Sequence, residues 1–101
     1  MSKNNKKAQA LFKKAAKGKR KLINAMMEDI EQTTLLADGF DAAIVGITES
    51  FPVQVIYDHD TCVQILQADG MKEEEALEYF HFNVLGAYVG EQTPIFMHPI
   101  R

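Results

Sequence analysis

Apolar residues recur at helical spacing through the first third of the chain. Leu11, Ala15, Leu22 and Met26 make one row, and Phe12, Ala16, Ile23, Met27 and Ile30 make a second. Alanine and lysine, both good helix formers, fill the positions between. The pattern predicts a helix over residues 6–33, with Gly18 as a weak point able to divide it. Residues 18–21 carry no apolar side chain, so the first half of the helix is expected to detach from the core. Met26 and Met27, with Ile23 and Ile30, form an adaptable apolar surface. It belongs to the core if the helix is packed, and to a dimer seam or a partner groove if the helix projects.

The period changes after the Asp38-Gly39 turn. Residues 42–48 read as a strand, with Ala43, Val45 and Ile47 on one face and Ile44 on the other. Residues 53–57 are rich in β-branched side chains and read as a second strand. The short connection over Glu49–Pro52 favours a hairpin. Asp58 or Asp60 can cap a helix running to Ala68, with Cys62, Ile65 and Leu66 inward. Asp69-Gly70 stops it. A further helix is predicted from Glu73 to Ala87 or Tyr88, with Ala76, Phe80, Val84 and Ala87 as its buried stripe and Leu77 and Tyr88 beside it. Gly90 is expected as its left-handed end, and Gly86 as a point of close helix–strand packing. Pro94 and Pro99 bracket a third, edge strand over 94–98. The order is α-β-β-α-α-β. The expected fold class is α+β, a small, mainly antiparallel three-stranded sheet with helices on one face.

Charge alters this picture. Nine of the eleven basic residues lie in the first 21 positions, and all fourteen carboxylates lie after position 27. From Leu22 onward two cations oppose those fourteen carboxylates, a net charge of −12, which the overall −3 conceals. The chain therefore divides into a basic N-terminal arm, 1–21, and an acidic domain, 22–101. Such segregation creates a field answered by nucleic acid, by a charged protein, or by the molecule's own other half.

The 101 residues suit one domain, and an apolar fraction of 47% is too high for a wholly disordered chain. No apolar stretch reaches the ~20 residues of a membrane span, and no secretory signal is visible. The single cysteine, Cys62, excludes an internal disulfide, and a reducing cytoplasm is expected.

The arm's central charges are Lys13, Lys14, Lys17, Lys19, Arg20 and Lys21. They suit a phosphate backbone or an acidic protein face. Phe12 is the arm's only aromatic residue, so base stacking and sequence readout are not expected. The bland alternative is a solvated helix, or one docked on the acidic body of its own or a neighbouring subunit. The acidic body could itself imitate phosphate spacing and occupy a nucleic-acid-binding host protein. An acidic surface serving solubility is the plainer account, and Glu73–Glu75 is explained as a helix N-terminus.

Asp58-His59-Asp60 with Cys62 does not make a metal motif. Counted from Asp58, a calcium loop would need glycine where Val63 stands. Cys62, His59, His81 and His98 match no zinc module spacing. No metal and no cofactor is expected, and Cys62 reads as a small buried apolar residue. His81, Asn83, Tyr88 and Glu91 are the candidate polar pocket, with Glu91 as base and His81 as acid in an enzymatic reading. Ser50 lacks a nucleophile-elbow context and no glycine-rich phosphate loop exists. Asn83 is better read as bonding a backbone group, for example in the Gly90–Pro94 turn.

Three segments carry a resemblance. They are residues 38–46 (Asp38-Gly39-Phe40-Asp41-Ala42-Ala43-Ile44-Val45-Gly46), Asp69-Gly70-Met71 with Glu74, Glu75, Ala76, Glu78, Tyr79 and Asn83, and Gly86 through Phe96. Together they resemble a family of small uncharacterised phage and bacterial proteins over residues 38–97, outside the basic arm. The resemblance implies a phage or prophage setting and no particular activity. Relatives carry serine or threonine where this chain has Lys72, so helix capping there is expected to be weaker or shifted.

The expectation from sequence is a non-enzymatic, phage-type interaction protein acting in the host cytoplasm. Its basic helix would bind nucleic acid non-specifically or an acidic host protein, with self-association through that helix as a further option and no membrane partner. The alternatives are a host-protein inhibitor acting through the acidic body, and a minor enzyme using the Asn83–Glu91 region.

Overall fold

The computed structural model describes residues 5–87 and 89–100. Helix α1 spans Lys6–Asp29. A 3-10 turn, Asp41–Ala43, leads into β1, Ile44–Ile47; β2 is Val55–Asp58. Helices α2, His59–Ala68, and α3, Glu73–Phe80, follow, then a π-helical turn, His81–Leu85, and β3, Ile95–Met97. The α+β class and the element order are those expected.

The three strands lie in the order β1-β2-β3. β1 and β2 form the antiparallel hairpin. β3 is an edge strand, but it pairs parallel to β2, with Asp58 opposite Met97. The sheet is thus mixed rather than mainly antiparallel. A tight turn can only reverse a strand, whereas a crossover through helices allows the chain to return in the same direction. Two helices stand between β2 and β3.

Helix α1 is continuous through Gly18. Asn5 caps it, its Oδ1 accepting from the Ala8 N–H at 3.0 Å. Of the two apolar rows, Phe12, Ala16, Ile23 and Met27 face the core, while Leu11 and Leu22 are exposed by more than half. The first half does not detach. The Asn5 N–H donates to the Ala68 carbonyl at 2.9 Å, and Gln9 Nε2 to Asp69 Oδ1 at 3.0 Å. The helix ends at Asp29, earlier than the pattern suggested, with Ile30 as its C-cap and Glu31 at φ 55°.

One core joins α1 to the sheet and the later helices through Ile23, Met27, Phe40, Ile44, Val55, Tyr57, Ile65, Leu66 and Phe80. The Phe80 ring meets Phe96 edge-on at 5.0 Å and Phe40 at 6.1 Å. The strict alternation expected over 42–48 is broken: Ala43 and Ile44 are both buried, and Val45 is 49% exposed. The 3-10 turn buries Ala42 and Ala43 first, and the register shifts between Ile44 and Gly46, which resets the alternation.

α2 begins as expected, with Asp58 Oδ1 accepting from the Asp60 N–H at 2.9 Å, and Cys62, Ile65 and Leu66 are buried. Lys72 stands at the N-cap of α3 without a side-chain cap. Glu75 compensates by accepting the Lys72 N–H at 3.1 Å. Regular α3 stops at Phe80, so Ala76 and Phe80 are buried, Val84 is half-buried and Ala87 is exposed. Gly86 has ordinary φ, and an added Cβ there would meet nothing closer than 3.5 Å, so the expected close packing is not present. Gly90, at φ 107°, serves the next turn rather than the helix end: the Thr93 hydroxyl and N–H both donate to its carbonyl. Gln92 Nε2 ties that turn to the Val53 and Thr33 carbonyls, at 3.2 and 2.5 Å.

Candidate functional site

The basic helix is held on the acidic body by two of its own charges. Lys19 Nζ donates to the carbonyls of Ala42, at 3.0 Å, and Ile44, at 2.6 Å. These carbonyls lie in the 3-10 turn and at the first residue of β1. Arg20 forms an ion pair with Asp41, Nη2 to Oδ2 at 2.8 Å, with Nε donating to the same oxygen at 2.8 Å. Two of the six central arm charges are therefore committed within the chain.

Among the described residues, Lys6, Lys7, Lys13, Lys14, Lys17 and Lys21 make no ion pair. Lys6 and Lys13 line a groove between α1 and the body that also holds Gln9, Phe12, Asp41 and Asp69. Asp41 Oδ1 is buried there without a hydrogen-bond partner among the described residues. Lys7, Lys14 and Lys21 recur every seven residues, and Lys17 stands three and four positions from the last two. At ~3.6 residues per turn Lys7, Lys14 and Lys21 fall on the side opposite Phe12, Ala16, Ile23 and Met27, and Lys17 lies at the flank of that outer face. At ~1.5 Å per residue the row runs about 21 Å, the length of roughly six base pairs of duplex. Each of the four lysines is exposed.

Among the described residues, His81 and Asn83 of the candidate polar pocket share no depression. His81 and Asn83 are both exposed and line different depressions, His81 with His59, Glu74 and Phe82, and Asn83 with Leu36, Tyr79 and Phe96. Asn83 Nδ2 donates to the Tyr79 carbonyl at 3.1 Å, a bond within its own helix rather than to the Gly90 turn. Glu91 is exposed, and Tyr88 lies outside the described residues.

The two strongly shifted groups are buried structural residues. Burial pushes the Tyr57 phenol up to about 12; its oxygen accepts from the Ala37 N–H at 2.7 Å. Burial, helped by the charge of Asp58, pushes the Cys62 thiol up to about 12. A thiol so shifted is a poor nucleophile at neutral pH. Thus Cys62 is the small buried residue expected.

One cluster was not expected. His59, Asp60 and His98 have ligand atoms all within 4.8 Å of one another. No spacing motif announces it, because it depends on β3 lying parallel to β2. The residues following the Asp58–Met97 pair are His59 and His98, which that register sets side by side.

No helix among the described residues is long and apolar enough to cross a membrane. Comparison with family models, curated proteins and solved structures finds no match.

Proposed function

We propose that the protein is a non-enzymatic interaction protein of phage type whose basic helix binds nucleic acid without sequence preference. The phage setting is taken from the resemblance of residues 38–97. The reading is carried by one observation: Lys7, Lys14, Lys17 and Lys21 form an exposed row on the outer face of a helix anchored to the body. Lys19 and Arg20 are the anchors rather than the contacts. A packed helix holds its lysines in place before binding, so less chain entropy is lost on contact than a free arm would lose.

The same geometry accounts for the expected lack of specificity. Lysine ammonium groups meet phosphates as point charges, and no aromatic side chain stands in the row to stack on a base. The net −12 of residues 22–101 repels nucleic acid from other sides and orients the helix toward it.

The test is anisotropy titration of two labelled duplexes of unrelated sequence with the full chain. The variant with Lys7, Lys14, Lys17 and Lys21 all changed to Gln is the comparison. Similar affinity for both duplexes, lost in the variant, supports the reading. Binding of an acidic protein but of neither duplex would transfer the lysine row to a protein partner.

A further inference from the structure

We propose that His59, Asp60 and His98 form a binding site for a divalent transition-metal ion of the zinc class. The site would use two imidazole nitrogens and one carboxylate oxygen and leave at least one coordination position open. This does not depend on the nucleic-acid reading, which concerns a different element.

The geometry starts from the parallel pairing. β2 and β3 end together at the Asp58–Met97 pair, and the residue after each strand is a histidine. The two rings lie 4.1 Å apart between centroids, inclined by 36°. Asp60, one residue on, sets its Oδ1 3.1 Å from His59 Nδ1. Donor atoms bound tetrahedrally to zinc at ~2.0–2.1 Å lie roughly 3.3 Å from one another. A spread within 4.8 Å needs only side-chain rotation to close. The His59 backbone is held as the first residue of α2, and its ring rests edge-on against Phe80 at 5.2 Å. His98 is exposed and free to complete the set.

The chemistry of the donors selects the ion. Imidazole with carboxylate suits zinc, nickel, cobalt and iron, whereas calcium and magnesium prefer oxygen alone. The N-terminus of α2 opposes a cation. Asp58 counters it, since its carboxylate already accepts the Asp60 N–H at 2.9 Å. Glu74 and Glu78 line the groove in which His59 stands, adding negative charge near the cation. Three protein ligands match the pattern of a site that keeps a place for water or for a donor from another molecule.

The experiment is calorimetric titration of the full chain with zinc chloride, repeated for His98→Ala, Asp60→Asn and His81→Ala. Substitution of exposed His98 spares the core, and circular dichroism confirms that each variant is folded. Cobalt(II) titration followed by visible absorption reports the ligand geometry independently. The expected result is one zinc ion per chain, bound at least tenfold more weakly by His98→Ala and by Asp60→Asn, and unchanged in His81→Ala. The cobalt band is expected to vanish in His98→Ala. Absence of zinc binding by the parent chain would overturn the proposal. So would binding that is unaffected by His98→Ala, or weakened equally by His81→Ala.

Discussion

The Lys19 ammonium donates to the Ile44 carbonyl at 2.6 Å, joining the centre of the basic helix to the first residue of the sheet. A lysine that sequence marks as a binding charge is thus a structural donor. It satisfies backbone oxygens at the point where the 3-10 turn becomes a strand.

Replacing Lys19 by Met keeps most of the aliphatic stem and removes both donated bonds. Urea unfolding is expected to show a loss of about 1–3 kcal/mol, the usual cost of leaving partly buried acceptors without their partner. Arg20→Ala, at a half-exposed ion pair, is expected to cost no more than ~1 kcal/mol. If Arg20→Ala proves the more damaging, Lys19 is not the anchor.

Stability should fall in alkali. The folded-state pKa of Cys62 is raised from 9.0 to about 12, and that of Tyr57 from 10.0 to about 12. Between those limits the unfolded chain has released protons that the folded chain retains, so unfolding becomes easier as pH rises. Their contribution is fully present below pH 9 and is lost progressively toward pH 12. Urea midpoints at pH 7, 9 and 10.5 should decline, and Cys62→Ala should remove the earlier part of that decline.

Native Cys62 should resist thiol reagents. Its side chain has no exposed surface and the reactive thiolate is disfavoured by burial. At pH 8 a chromogenic disulfide reagent is expected to react at the rate of unfolding, and fast in urea. Rapid labelling of the native chain would show that the core around α2 opens readily.

Asp58→Ala removes the N-cap of α2 and the Thr61 hydroxyl's acceptor at 3.1 Å. The expected loss is about 1–2 kcal/mol, read from urea midpoints. Asp58→Asn retains an acceptor oxygen and should recover a substantial part of it.

Elements with local causes were legible in the sequence. The caps Asp58 and Gly70, the inward face of α2 and the hairpin depend on residues a few positions apart. What escaped depended on distant contacts. Leu11 and Phe12 belong to equally good apolar rows, and only the body's position decides that Phe12 is covered. That Ala43 and Ile44 are both buried follows from the 3-10 turn and the register shift before Gly46, which alternation alone does not reveal. His59 and His98 look unrelated in sequence, and become neighbours because β3 runs parallel to β2. Lys19 and Arg20 were indistinguishable from Lys17 and Lys21 until Ala42, Ile44 and Asp41 were in place beside them.

The central claim is that a row of four exposed lysines makes the phosphate contacts. The most direct measurement is the salt dependence of duplex binding by the full chain and by the Lys14→Gln variant. Four contacts predict a slope of log Kobs against log salt concentration of roughly −3.6, at about −0.9 per phosphate. Loss of Lys14 should reduce its magnitude by about 0.9. A slope near zero, or one unchanged by Lys14→Gln and by the fourfold variant, would contradict the account.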